Sequence, residues 1–466
     1  MQAVLAVTLV CFSIWDADTH DVNNWILEVT NYGRLGGIGS YWLPESIPFY
    51  GAGVWFGTIS PQSETLVTLG YGPHDGEAEF GPGLGHQNPL DPQVRVYMHP
   101  GDWPPNLDIF PMAPQIPLTV QESWSCYNDL DSNLHIAGDG RPIGIEIYQT
   151  TFADTFVSVD DVIFLKYEIK NCTTHTIENA IFAVMWDADC LEPAGFFNGL
   201  ILHKWFYPSP QDSFLVENLG YFYGTTSIYS NDTVAAGVLF IKTPSNVGCT
   251  AHKLFTLNLE PNLDYERYLS MAGYNFRTGV YEPYDSLPYG PDDHRTLMSC
   301  GPFSIPPGGI EEIVIALIAA PYSSADTLML AIQARDAKNL YCDSLMAIHE
   351  DEEQSSKHVG VLVLWVSPNP FSKLTTVSFG IEHSGERSAL EGRESLSYGR
   401  DMGLKIYDAC GRLVKSFFVP SSAIGYQSSV VWNGVDDACR RVPSGVYFIK
   451  LEAGDYSATK KVLLIR

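Results

Sequence analysis

The sequence predicts an all-β protein: a large β-sandwich body with one helix near its end, followed by a smaller C-terminal β-sandwich. Three observations carry that reading. Short runs of β-branched and aromatic residues are cut by turn residues, with 40 Gly and 30 Pro in 466 residues. Only residues 324–345 show helical spacing. Charge also changes along the chain: from Gly360 onward 13 Lys and Arg meet 10 Asp and Glu, net +3, leaving −30 for the rest. These are chemically different pieces. The expected division is a body at 21–350, a linker at 351–360 (DEEQSSKHVG) and a C-terminal domain at 361–466.

Composition narrows the class. Apolar residues make up 45% and aromatics 12%, enough to bury a real core. The formal charge of −27 argues against nucleic acid or an acidic membrane as partner. No apolar run is long enough to form a transmembrane segment. Residues 3–14 are apolar but short, with no Lys or Arg before them, so residues 1–20 read either as a signal-peptide remnant or as a first strand.

In the body, WILEVTNY (25–32), 52–59 and 65–71 read as strands, and the Pro-rich stretch 91–117 as an extended segment packed by aromatics. GIEIYQT (144–150) alternates, and VIFLKYEIK (162–170) alternates more cleanly, with Ile163, Leu165, Tyr167 and Ile169 on one face. AIFAVMW (180–186) is apolar throughout, which predicts a central strand covered on both faces, joined to the previous strand through a hairpin at 171–178. Residues 236–242 and 311–320 add two more apolar strands. Leu328, Ala331, Ile332, Arg335, Lys338 and Asn339 then recur at helical spacing, with Ser324 or Asp326 as cap.

The C-terminal domain reads as a succession of hairpins. LKIYD (404–408) breaks at Gly411 and resumes at Leu413. Tyr447, Ile449 and Leu451 alternate with Val446, Phe448, Lys450 and Glu452, and Tyr456 to Ile465 forms the last strand. About seven short strands in about a hundred residues is the size of an Ig-like sandwich. The run SPNPF (367–371), then IYD-x-x-GRLV, then Trp432-x-Gly434-x-Asp436-Asp437, then PSGVYF (443–448), then a Lys-bearing last strand resembles the type IX secretion system C-terminal sorting domain. That family is close to the Ig-like domain of flagellar hook-capping proteins. The resemblance covers roughly the last fifth of the chain. It implies export across both membranes, the type IX secretion machinery as partner, and an extracellular or outer-surface location. It also implies that the translocon reads Gly445, Tyr447, Lys460 and Lys461. The chain departs from the family through a long polar insert at 383–402. YNDLD (127–131), RPIGIEIYQT, DDVIFLKYEIKN and RTLMSCGPFSIPPG (295–308) are similar to exported β-sandwich proteins that carry this domain, which implies no activity.

Nine cysteines occur without a C-x-x-C. Cys410 and Cys439 each sit in a turn after an Asp, where the family more often has a small residue. They are either a disulfide between neighbouring hairpins or two unrelated small residues.

Chemistry-bearing motifs are scarce. There is no H-E-x-x-H, G-x-S-x-G or P-loop, and Pro82 opposes a phosphate turn in the Gly-rich 81–86. Glu146 with Asp160 and Asp161 is a conceivable glycosidase pair among 54 acids. Asp129-x-Asp131-x-Asn133 has the first half of a calcium loop, although Leu134 and Gly140 replace its Gly and Glu. Asp187 and Asp189 end an apolar strand. Either cluster would suit a structural calcium ion, or its acids bond their own turn amides. The expected function is that of a secreted or cell-surface structural or adhesive protein. The alternative is a carbohydrate-binding module or hydrolase acting on an extracellular polymer, with Trp42, Trp55, Trp103 and Trp124 stacking on sugar rings. Partners on that view are cell-surface polysaccharide or other surface proteins.

Overall fold

The computed structural model describes residues 15–37, 40–42, 47–48, 50–72, 78–135, 139–155, 159–187, 197–209, 212–225, 233–256, 259–285, 294–322, 327–341, 361–382, 402–408, 411–419, 428–436, 440–453 and 456–465. The chain divides into two compact units, Met1–Leu345 and Met346–Arg466. No described helix is long and apolar enough to cross a membrane.

The first unit is a β-sandwich of a ten-stranded and a nine-stranded sheet. In the first sheet, Ile177–Asp187 lies between His294–Ile305 and Gly51–Ile59. Its apolar run follows from this position. Phe182, Val184 and Trp186 point into the core shared by both sheets. Ile181, Ala183 and Met185 point the other way, into a second core that they form with Trp55, Leu297, Tyr268 and Met271. Helix α1 (Asp264–Met271) supplies Tyr268 and Met271 and so covers the outer face of the sheet.

In the second sheet, Val162–Asn171 pairs with Ile145–Ala153 on one side and Ile310–Tyr322 on the other. Ile163, Leu165, Tyr167 and Ile169 face the shared core, as their alternation predicts. Helix α2 (Leu328–Leu340) packs on this sheet's outer face through Leu330, Ala331, Ala334 and Ala337, a narrow stripe that lets it lie close to Ile310–Tyr322. Ser324 and Asp326 lie outside the described residues.

Three sequence expectations change. Residues 171–178 do not form a hairpin: the strand before them belongs to the second sheet and the strand after them to the first. Each strand takes its neighbours within its own sheet, and the turn arches between layers. Its shape is held by Asn171 Nδ2, which donates to His175 O at 2.8 Å and Ile305 O at 2.9 Å. A second helix, α1, joins the one expected. A long ribbon, Phe197–Ser209 with Asp212–Thr225, forms the edge of the second sheet. The Pro-rich stretch packs as expected, with Tyr97, Phe110 and Trp124 in one cluster.

The second unit is a seven-strand sandwich. Val361–Ser367, Thr375–Glu382 and Ser428–Trp432 form one sheet; Leu413–Val419, Met402–Asp408, Gly445–Ala453 and Tyr456–Leu464 form the other. Leu404, Ile406, Tyr447, Ile449, Leu451, Val462 and Trp432 fill its core.

Asp161 ties the layers of the first unit together. Its carboxylate accepts Asn24 Nδ2 at 2.8 Å, Trp42 Nε1 at 2.8 Å and Gln333 Nε2 of α2 at 3.0 Å. Removing a charged acceptor leaves these donors unmet. Asp161→Ala is expected to destabilise the first unit by about 3 kcal/mol in chemical denaturation, and Asp161→Asn by less, because its carbonyl still accepts. A change below about 0.5 kcal/mol, the range of an ordinary surface substitution, would show that the hub is dispensable.

Candidate functional site

The second unit brings its motif segments together. The SPNPF segment lies along the last strand: Asn369 Nδ2 donates to Lys461 O at 2.9 Å and Asn369 Oδ1 accepts Leu463 N at 2.8 Å. Phe371 N donates to Leu463 O at 2.9 Å, and Ile465 N to Phe371 O at 2.8 Å. Trp432 is buried between Phe371 and Tyr447, with ring centroids 5.2 and 5.1 Å away. Tyr447 OH donates to Pro443 O at 2.6 Å, fixing the PSGVY corner.

The four positions implied in sorting sit on one hairpin. Gly445 pairs with Leu464, Tyr447 with Val462, Ile449 with Lys460 and Phe448 with Lys461. Alternation therefore puts Lys461 on the outward face with Phe448 and Lys460 on the opposite one. Gly445 is distinctive. Its φ lies outside the left-handed region, and a Cβ there would meet nothing within 4 Å among the described residues. Neither backbone nor packing demands a glycine, although glycine weakens a strand.

Cys410 and Cys439 lie outside the described residues. Their turns are closed alike: Arg412 Nε donates to Asp408 Oδ2 at 2.7 Å and Arg440 Nε to Asp436 Oδ2 at 2.9 Å. Lys415 Nζ reaches Asp436 O at 3.4 Å, which brings the flanks of the two turns near each other.

The acids singled out in the first unit have protein partners. Asp129 is buried, and its carboxylate accepts the amides of Ile143, Gly144 and Ile145 at 2.5, 3.0 and 2.8 Å and Thr68 Oγ1 at 3.2 Å. Burial nevertheless holds its carboxyl above the usual range. Asp131 is exposed and accepts Asn133 N and Nδ2 at 2.9 and 2.8 Å, an Asx turn. Asp187 accepts Tyr71 OH and Arg295 Nε, both at 2.8 Å; Asp189 lies outside the described residues. Among the described residues, no three His, Cys, Asp or Glu side chains are gathered to hold a metal ion. Glu146 accepts Gly85 N, Tyr148 OH and Lys170 Nζ at 3.0, 2.9 and 3.2 Å. Burial would raise its carboxyl, but these donors outweigh it and hold it below the usual range, the opposite of what a general acid needs. Asp161 is the structural hub described above.

Sequence reasoning missed the charges under α1. Arg295 bridges Asp187 and Glu260, its Nη1 2.9 Å from Glu260 Oε1. Arg267 of α1 is buried among Asp264, Glu79 and Asp139 at 3.4, 3.7 and 3.7 Å. Lys253 Nζ donates to Asp285 Oδ1 at 2.5 Å and Glu282 O at 2.7 Å. These pairs hold the layer that covers the first sheet, and breaking one typically costs about 3–5 kcal/mol. A buried Ser–His pair also emerged, His20 Nε2 and Ser123 Oγ at 2.8 Å. His20 Nδ1 meets no partner among the described residues, and burial lowers the ring to about 3, so a hydrolytic triad is not built there.

Trp42, Trp55 and Trp124 are buried, and Trp103 is half-buried with its Nε1 on Gln115 O at 3.1 Å. They pack loops and cores and do not form a sugar platform. A cleft of ≈ 480 Å³ in the first unit is lined by Leu66, Ile143 and Ile177 among others. Arg141 at its rim is committed to Glu64 at 2.8 Å and Gln62 at 3.2 Å.

The chain matches no model of a known protein family and no curated protein. Solved structures that are similar at a distance include the following. A polysaccharide lyase is 10% identical over 97% of this chain and 46% of its own, at a TM-score of 0.25. The dimeric latent form of PorU from Porphyromonas gingivalis is 11% identical over 65% and 31%, at 0.18. PorZ, a surface component of the type IX secretion system of the same organism, is 9% identical over 96% and 75%, at 0.15. The chain thus spans under half of the first and under a third of the second, and at these TM-scores the likenesses carry no argument.

Burial pushes the Asp264 carboxyl up to about 6, with Asp139 adding to the rise and Val67 N and Arg267 opposing it. A carboxyl raised on folding favours the protonated folded state. That stability is full below pH 4 and is lost as pH rises through 6. Asp264→Asn should flatten the dependence of the melting temperature on pH between 4 and 7, because the group that titrates there is gone. An unchanged slope would contradict this.

Proposed function

We propose that this chain is an exported cell-surface protein of structural or adhesive type, sorted and attached through its C-terminal unit by the type IX secretion machinery. The observation that carries this reading is the convergence of Asn369, Phe371, Trp432, Tyr447 and the final strand on one hairpin that also bears Gly445. A glycine that neither the fold nor the packing requires is left for something that approaches it. The exposed Lys461, on the outward face of the same hairpin, adds a positive charge on a unit whose net charge is +3 from Gly360 onward, joined to a body of −30. A disulfide between Cys410 and Cys439 would suit a protein that folds in an oxidising compartment. For the body, binding is favoured over hydrolysis: Glu146 and Asp161 are each held by neighbouring donors as parts of the fold.

Two variants in a host with type IX secretion test the reading. Deleting residues 445–466 should leave the chain in the periplasm. Gly445→Val should do the same while keeping the wild-type melting temperature, since nothing among the described residues stands within 4 Å of the added Cβ. Normal arrival of both variants at the surface would overturn the sorting role.

A further inference from the structure

One hairpin of the body is held by the fold more firmly than edge protection needs. Residues 283–285 cover the edge strand Ala251–Thr256: His252 N donates to Pro283 O at 2.7 Å and Asp285 N to His252 O at 2.9 Å. The Lys253 contacts already described, and Leu254 N on Asp285 Oδ2 at 3.1 Å, strengthen that join. Covering an edge is sound protection against stray pairing, and these three residues suffice for it. The chain nevertheless builds a second hairpin ahead of them. Glu282 N donates to Gly273 O at 2.9 Å, Asn275 N to Val280 O at 2.8 Å and Gly279 N to Asn275 O at 2.8 Å. Asn275 Oδ1 accepts Arg277 N and Thr278 N at 3.1 and 3.2 Å, so the tip is closed from within. Tyr274 N donates to Leu269 O of α1 at 2.8 Å, so the base is fixed as well.

This frame displays aromatic rings. Tyr274, Tyr281 and Tyr284 are 36%, 60% and 43% exposed. The first two meet at 5.1 Å and 63°, which makes an open corner. Tyr284 is pinned by its hydroxyl to Cys249 O at 3.3 Å. Rigid tyrosines give contact area at little entropic cost, and each offers an apolar face with a polar tip.

Area and charge narrow the occupant. The exposed tyrosine surface is on the order of 300 Å², well below the roughly 800 Å² per partner of a stable protein interface. Arg277 and Glu282 put one charge of each sign on the hairpin, while the chain as a whole carries −27, which repels polyanions. A small patch of ring faces bordered by balanced polar groups suits an uncharged, hydroxyl-rich chain whose C–H faces lie on the rings.

We propose that the hairpin at 273–284 is a binding site for a neutral polysaccharide, with Tyr274 and Tyr281 as its contact residues. This extends the adhesive reading by naming a ligand class, and it is tested apart from export. The purified full chain is applied to immobilised neutral glycans (β-glucan, xylan, mannan, dextran), to the acidic polymers alginate and hyaluronate, and to gelatin. Retention on at least one neutral glycan is expected, weakened about tenfold or more by Tyr281→Ala and by Tyr274→Ala at unchanged melting temperature, and largely kept by Tyr281→Phe. Silence on all neutral glycans, retention on the acidic polymers or gelatin instead, or equal binding by the Ala variants would overturn the proposal. A chain that reaches the surface but ignores glycans loses only this site; one that binds glycans but stays in the periplasm loses only the sorting role.

Discussion

The body depends on strands that are apolar on both faces. Ile177–Asp187 sends alternate residues into two different cores, and Ile310–Tyr322 is likewise buried through most of its length. Such strands cannot face water on either side, so a two-sheet sandwich alone leaves half of their side chains uncovered. The chain answers with α1 outside the first sheet and α2 outside the second. Each cover is then tied down by charge: Arg267 and Arg295 beneath α1, and Asp161 with its donor from Gln333 on the α2 side. The buried arginines follow from that geometry, since the covering layer is acid-rich and carboxylates taken out of water need cations or amides.

How much was legible follows from the same constraint. Clean alternation at Ile163, Leu165, Tyr167 and Ile169 identified a strand and its inward face. The unbroken run at 180–186 identified a strand with two buried faces. Neither pattern names a partner strand, and so a tight turn at 171–178 read as a hairpin when it is an arch between sheets. The ribbon at 197–225 was obscured by glycines at 199, 220 and 224, which break the alternation, although a side chain at Gly199 would strike Tyr221. Helix α1 has only eight residues, too few for a periodic signal. The long-range ion pairs were beyond reach for another reason: Asp187 and Arg295 lie 108 positions apart. The tryptophans misled because a large ring reads alike whether it stacks on a ligand or fills a core, and here Trp42 and Trp55 give their Nε1 protons to Asp161 Oδ1 and Tyr71 O.

The C-terminal unit was more transparent because its motifs are local and its strands short. Its core residues are those that alternation picks out, and the Asp408 and Asp436 turns close by one device, a carboxylate gripping the arginine four residues on. The packing explains Trp432, Tyr447 and Phe371. It gives Gly445 no packing contact among the described residues.

The most direct test of the account joins residues 346–466 to a reporter that is already delivered to the periplasm of a type IX host. The account predicts that the reporter reaches the cell surface and that Gly445→Val in the fused unit keeps it inside. A reporter that remains periplasmic while the fused unit is folded and protease-resistant would contradict it.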